Sequence, residues 1–521
     1  MLLPKLTPAI NVASWELRCN MQTRSSKIQP VNTLMVTFSV MLATIMQALD
    51  TTIANVALPH MQGSMSATQD QISWVLTSYI VAAAIFMPLT GLLSAKFGRK
   101  RLFIWSVVGF TITSMMCGAA QNLNQLVLFR LLQGVFGASL VPLSQAVLLD
   151  TYPREKHGSA MAMWGVGVML GPILGPTLGG ILTEYYNWRW VFYINLPFGL
   201  LAWFGLVKFV PETELDLSRR FDLTGFALLG ISIGALQMML DRGQSQDWFG
   251  SSEIIVECIL TVLAFYLFVV HIFTKDKPFI EPAIFKDRNF SVGLIFIFLV
   301  GIILLATMAL LPPFMQNLMG YPVVDVGYVL APRGLGTMIA MITVGKLSGK
   351  VDTRYMIFFG LLLICFSLWE MTLFTAEVDA FEIVRTGVIQ GLGLGFVFVP
   401  LSTISFATLH AHYRNEGTAL FSLMRNIGSS IGISIVMTYL AQSTQKNHAV
   451  FSEFINPYNF AFMQSVEQGV NATSAQGLAT VNEMITSQAM TLGYLQDFRL
   501  MMWITLAAIP LLLLLKAPAK H

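Results

Sequence analysis

Apolar runs long enough to cross a bilayer, about 17–25 residues each, follow one another along almost the whole chain. They occupy 33–57, 72–93, 102–122, 124–149, 158–182, 190–209, 224–241, 253–273, 291–312, 326–347, 355–375, 381–408, 417–441 and 499–515. No soluble core can hide them. Of the 521 residues, 55% are hydrophobic and only 11% charged, with a mean hydropathy of +0.66, whereas soluble domains carry about 25% charged residues. Single cores also stop growing near roughly 250–300 residues. Within lipid, each backbone amide must find its partner inside the protein, which leaves helices as the economical solution. The expected fold is therefore an all-α polytopic membrane protein of fourteen transmembrane helices.

An even number of spans puts both termini on one side, and the basic residues say which. The loops on that side hold Lys96, Arg99, Lys100, Arg101, Arg154, Lys156, Lys208, Arg219, Arg220, Lys275, Lys277, Lys286, Arg288, Lys346, Lys350, Arg354 and Arg414, whereas the opposite loops hold Arg189, Arg242, Lys446 and Arg499. Positive charge stays on the cytoplasmic side, so both termini are expected there. Residues 1–32 form a cytoplasmic tail without the apolar core of a cleavable signal peptide, and the first twenty are expected to be dispensable. Residues 516–521 form a second tail. On the far side, 442–498 is rich in Ser, Gln, Asn and Thr and is expected to be a long solvated loop that carries the sequon-like Asn471-Ala472-Thr473. The four cysteines have neither metal nor disulfide spacing.

One acid stands inside the first run. Asp50 lies about 10 Å from the far end of its span at 1.5 Å per residue, and Arg130, some six residues into the fourth span, lies at a similar depth. A charge at such depth costs about 2.5–3.5 kcal/mol on insertion scales and is seldom retained without use. The two charges are expected to pair, either as a fixed structural bridge or as a group that exchanges protons. Thr51, Thr52 and Asn55 make the same end of the helix polar. Arg333 directly precedes Gly334 and Arg425 lies three residues before Gly428, and both are expected to face the central space; Arg385, Glu257 and Glu370 lie near span ends, where snorkelling accounts for them. Trp74, Tyr79 and Gln133, with Asn55 and Arg425, are the candidate substrate-binding residues.

The chain also repeats itself. The stretch Gly91-Leu-Leu-Ser-Ala-Lys-Phe-Gly-Arg-Lys-Arg101 returns as Gly345-Lys-Leu-Ser-Gly-Lys-Val-Asp-Thr-Arg-Tyr355, Gln133-Gly134 as Gln390-Gly391, and Pro142-Leu-Ser144 as Pro400-Leu-Ser402. The nearly constant offset implies two parallel six-helix bundles. The N-terminal bundle spans 33–209 and the C-terminal bundle 276–515, while 210–275 inserts a loop and two further helices. Paired bundles with a site between them suit a transporter that rocks.

Doubled six-span halves, Gly91 followed by Gly98-Arg99-Lys100-Arg101, Arg130-Leu-Leu-Gln133-Gly134 and Gly171-Pro-Ile-Leu-Gly-Pro-Thr-Leu-Gly-Gly180 together resemble the major facilitator superfamily, in particular its fourteen-span drug:proton antiporters. Three more stretches resemble the EmrB-type branch: Leu49-Asp-Thr-Thr-Ile-Ala-Asn-Val-Ala-Leu-Pro59, Asn187-Trp-Arg-Trp-Val-Phe-Tyr-Ile-Asn-Leu-Pro197, and Leu236-Gln-Met-Met-Leu-Asp-Arg-Gly243 with Asp247-Trp-Phe249. The resemblance implies a proton-driven multidrug efflux antiporter of the bacterial inner membrane, exporting hydrophobic or amphipathic compounds, with Asp50 and Arg130 in proton coupling. It implies a periplasmic adaptor and an outer-membrane channel as partners, and a cytoplasmic gate at Gly91, Gly98, Arg99, Lys100 and Arg101. The family usually places an acid four residues after the first glycine of that loop; here the residue is Ala95. Gly167, Gly171, Pro172, Gly175, Pro176 and Gly179 match its antiporter motif, although the residues alone argue only for close helix packing and a bend.

An exporter of one metabolite, siderophore or peptide on the same frame is the alternative. No phosphate-binding Gly-x4-Gly-Lys-Ser/Thr occurs, no His/Cys/acid set suggests a metal, and no nucleophile–base set suggests an enzyme. The expected energy source is a proton gradient without a cofactor, and no nucleic-acid partner is expected.

Overall fold

The computed structural model describes residues 32–213, 215, 221–276, 278–456, 458–459, 462 and 474–516. Among these the chain is helical, with one isolated bridge between Ser348 and Val351 and no strand. The expectations for the first twenty residues and for Asn471-Ala472-Thr473 lie outside the described residues.

The N-terminal part comprises α1 (Thr33–Met65), α2 (Gln69–Phe86), α3 (Leu89–Phe97), α4 (Arg99–Ala119), α5 (Leu123–Gly137), α6 (Leu140–Thr151), α7 (His157–Tyr185), α8 (Trp190–Tyr193) and α9 (Asn195–Phe209). Then come α10 (Leu223–Arg242) and α11 (Ser252–Thr274). The C-terminal part comprises α12 (Arg288–Pro313), α13 (Val323–Leu347), α14 (Thr353–Met371), α15 (Ala380–Ala407), α16 (Arg414–Glu453) and α17 (Ala475–Ala508). Among the described residues thirteen spans are long and apolar enough to cross a membrane, and fourteen if the pair α2–α3, bent by 59°, is one span. Pro88 explains the bend, since it has no N–H to give the preceding turn. Pro142 likewise cannot bond back to Ala138, where α5 passes into α6.

The start of α1 and the end of the chain share one face, here the terminal face. Thr37 Oγ1 lies 2.9 Å from the Tyr152 hydroxyl near the start of α7, and Arg288 Nε donates to the Leu514 carbonyl at 2.8 Å. At that face Asp222 caps α10, accepting from Gly225 N at 3.1 Å, and it also takes Lys275 Nζ at 2.8 Å, His271 Nε2 at 2.9 Å and Phe279 N at 3.2 Å. Burial opposes ionisation of this carboxyl, but the Lys275 ammonium, the Gly225 amide and the His271 ring outweigh it and hold the pKa down at about 2. One side chain thereby ties both inserted helices to the linker that follows them.

The expected solvated loop at 442–498 is wrong over most of its length. The spans on either side continue as helix, α16 to Glu453 and α17 from Ala475. Polar residues there occur at helical spacing and meet across the pair. Asn447 Nδ2 donates to the Ala489 carbonyl at 3.4 Å, and His448 Nε2 lies 3.0 Å from Asn482 Oδ1. Gly493 lets Leu440 and Thr444 approach closely enough that an added Cβ would sit 3.0 Å from each. Polarity alone had suggested a loop; packing keeps the pair helical.

Candidate functional site

The row Gly167, Gly171, Gly175 and Gly179 on α7 faces α1. A Cβ at Gly171 would lie 2.5 Å from Ala48 Cβ and 2.6 Å from its carbonyl carbon, and one at Gly175 would lie 2.6 Å from Thr52 Cβ. The row therefore sets how closely α1 approaches, while α7 runs continuously through Pro172 and Pro176. With Ala48, Thr52 and Val56 turned to α7, the opposite side of α1 carries Asp50 into the N-terminal bundle.

There the carboxylate is saturated with donors. Arg130 Nη1 donates to Asp50 Oδ2 at 2.6 Å, while Gln133 Nε2 and Asn195 Nδ2 donate to Oδ1 at 2.8 and 2.7 Å. Arg130 Nη1 also donates to Gln133 Oε1 at 2.8 Å, and its Nε to the Val75 carbonyl at 3.2 Å. The guanidinium carbon lies 4.5 Å from the centre of the Tyr79 ring and 5.6 Å from that of Phe192. Asn195 Nδ2 is oriented by Ser114 Oγ at 2.9 Å, which itself donates to the Phe192 carbonyl. Asp50 is 0% and Arg130 1% exposed. Removing one member of such a buried pair costs about 3–5 kcal/mol, because the other is left charged and alone.

Two candidate substrate contacts need correction. Gln133 and Tyr79 are buried within this cluster and spent on Asp50 and Arg130, so neither offers a surface to cargo here. Trp74 is half-buried and lies under the Arg242 guanidinium at the end of α10, 5.5 Å from the ring centre. Asn55 is exposed on α1, and Arg425 is half-buried on α16; neither joins the Asp50 cluster. Arg333 is buried and donates to the Leu304 carbonyl at 3.4 Å. Among the described residues, neither Arg333 nor Arg425 is paired with an acid. Arg385, its side chain 45% exposed, bonds Glu370 at 2.8 Å and Glu382 at 2.7 Å.

At the terminal face, Gly98 turns the chain from α3 into α4 with φ +86°, which favours glycine. Gly91 leaves room for Glu416, whose Cγ would be 2.6 Å from an added Cβ. Arg99 is buried and bonds Asp150, and Arg414 from the C-terminal half bonds the other oxygen of the same carboxylate. The acid missing at Ala95 is thus supplied by Asp150. Lys100 is half-buried and Arg101 exposed, so only Arg99 of the basic trio enters this contact. In the second copy of this loop Asp352 caps α14, Arg354 N donating to Asp352 Oδ1 at 3.0 Å. Ser159 Oγ adds a bond to the Gly345 carbonyl at 3.0 Å, again between the halves.

Sequence reasoning missed Asn195 and Asp150. Asn195 is neutral and stands at the start of a helix, where polarity is ordinary. Asp150 stands at a span end, where an acid attracts no notice unless its partner's position is known.

The chain is similar over most of its length to proteins with known roles. It is 35% identical to the multidrug export protein EmrB of Escherichia coli strain K12 over 93% of this chain and 96% of that protein. It is also 35% identical to the fatty acid resistance protein FarB of Neisseria gonorrhoeae, with the same coverage. The crystal structure of the human organic anion transporter MFSD10 superposes with a TM-score of 0.59 at 15% identity, covering 91% of this chain and 99% of that one, which speaks for the fold. Residues 40–433 match the family model of the Major Facilitator Superfamily, and the chain belongs to that family.

Proposed function

We propose that the chain is a proton-driven multidrug efflux antiporter that exports hydrophobic or amphipathic compounds. Its membership of the Major Facilitator Superfamily and its likeness to multidrug export proteins support the efflux part. The observation that carries the proton part is the fully buried Asp50–Arg130 pair, at a depth where a charge is retained for use. The carboxylate gives up its arginine when the halves rock and the cluster opens. It then takes a proton from one side and releases it on the other, with Gln133 and Asn195 steering its two oxygens. The Asp150 contact to Arg99 and Arg414 is the terminal-face gate that must break in each cycle.

The basic residues gathered on the terminal face support a cytoplasmic position for both termini in a bacterial inner membrane. The helical pair formed by the ends of α16 and α17 on the opposite face supports a docking place for a periplasmic adaptor leading to an outer-membrane channel. Reconstituted protein should extrude dye faster when an imposed pH gradient supplies protons, and Asp50→Asn should insert normally yet lose that response. An Asp50→Asn protein that keeps the full response to the gradient would overturn the coupling assignment.

A further inference from the structure

A second acid lies at span depth, away from the cluster just described. Asp497 on α17 stands 17 residues before Leu514, as Asp50 stands 17 residues after Thr33. At about 1.5 Å per residue, both lie roughly 25 Å from the terminal face, one in each half. Asp497 is fully buried, and among the described residues neither of its carboxyl oxygens has a hydrogen-bond partner. Its surroundings are aromatic: Phe498 meets Phe374 edge-on at 6.4 Å, and Tyr494 meets Phe314 at 5.3 Å.

The ionisable groups on the elements packed around α17 leave this carboxyl without a donor. On α17 itself they are Tyr494, one turn before it, with Glu483 and Arg499, both exposed. On α14 they are Arg354 and Tyr355 in its first turn, Cys365, and Glu370, which is bound to Arg385; on α12 it is Arg288, bound to the Leu514 carbonyl at the terminal face. On α16 they are Arg414, bound to Asp150, Glu416, Arg425, Tyr439, Lys446, His448 and Glu453. The turns at Phe314–Leu318 and Ile509–Leu514 carry none. An ionised carboxylate without water or donor is far costlier to bury than the neutral acid. The group therefore fits here with its proton on.

The neighbouring backbone departs from regular helix. Pro312 and Pro313 remove two donors, and the next residues, Phe314–Leu318, form a π turn. Such turns are frequent at functional sites, and Phe314 touches Tyr494 directly.

We propose that Asp497 is a second proton-binding site, loaded in this conformation and unloaded when the π turn shifts and water reaches α17. The step is a simple acid dissociation: the carboxyl O–H bond breaks, water takes the proton, and a carboxylate remains until the site closes again. The site would add a proton to the cycle beyond any carried at Asp50. Its transport consequence rests on the antiport reading; its protonation does not.

Two measurements on the full-length protein in lipid test this. Infrared difference spectra during a pH jump should show a buried carboxylic-acid band in the wild type and in Asp50→Asn, and lose it in Asp497→Asn. Proton and dye fluxes in proteoliposomes should show Asp497→Asn moving fewer protons per dye, with the ratio restored in Asp497→Glu. Asp497→Leu, which suits the apolar surroundings, should fold and behave like Asp497→Asn. A band that survives in Asp497→Asn, or an unchanged proton count per dye, would refute the proposal. A wild type that ignores the pH gradient refutes the antiport reading instead, and the infrared band still decides the state of Asp497.

Discussion

The two halves answer the same structural problem with different chemistry. Shifting by 257 residues takes Asp50 to Thr307, Arg130 to Gly387 and Gln133 to Gln390. The amide keeps its place: Gln133 Nε2 donates to Asp50 at 2.8 Å, and Gln390 Nε2 to Thr307 Oγ1 at 3.4 Å. The ion pair does not. Where Arg130 stands in the first half, the second has a glycine, and an arginine of α13, Arg333, packs beside it, its Cβ 3.6 Å from where a Cβ at Gly387 would sit. A duplicated frame thus holds a paired charge in one half and, in the other, a hydroxyl–amide contact beside an arginine that pairs with no acid among the described residues. Pairing, rather than polarity, separates the halves.

The sharpest way to break this comparison is to remove each arginine. Arg130→Met strands Asp50 as a buried charge and should cost about 3–5 kcal/mol, read as a large fall in unfolding temperature in detergent. Arg333→Met removes a cation that has no acid partner among the described residues and should be neutral or stabilising. Equal losses in the two variants would mean that Arg333 has a hidden partner. The glycines should differ next. Gly171→Ala drives a methyl into the α1 backbone, costs about 1–3 kcal/mol, and by displacing Asp50 should slow transport as well. Gly387→Ala meets only Arg333 Cβ at 3.6 Å, an ordinary contact, and should gain up to about 1 kcal/mol in helix propensity.

Much of the first half was legible from the chain. A charge inside an apolar run is conspicuous, and helical rise places it in depth, so the Asp50–Arg130 pairing could be derived before any coordinates. Tyr79 and Gln133 were candidates for substrate binding, but rise along an axis does not tell which way a side chain turns. The direction made them partners of the pair instead of contacts for cargo. Asp497 stayed hidden because the polar residues before it read as a loop, and a loop acid needs no explanation. The terminal-face contact was half legible: the basic loop was plain, but its acid lies 51 residues beyond Arg99, at Asp150. Only tertiary packing brings such a distance together.

A finer probe of the comparison is Thr307→Val. The hydroxyl–amide contact is long and neutral, and its loss should cost about 1 kcal/mol without altering the response to a pH gradient. A collapse of coupling in Thr307→Val would mean that the second half shares the work assigned to Asp50.

The inserted pair offers a carboxylate of a third kind, outside the spans. Asp222 is held at about 2 by Lys275, Gly225 N and His271, below the ordinary carboxylate value. Because the folded-state pKa is depressed, its contribution to stability is fully present above the ordinary carboxylate range, near pH 4, and fades as pH falls from there through about 2. Wild type and Asp222→Asn should therefore differ in unfolding temperature at about pH 5 and converge as the solution approaches about pH 2. The measurement is tryptophan fluorescence during heating in detergent. A gap that stays constant across that window would mean the cap acts by hydrogen bonding alone, and that the charge on Asp222 contributes nothing to joining α10 and α11 to the second half.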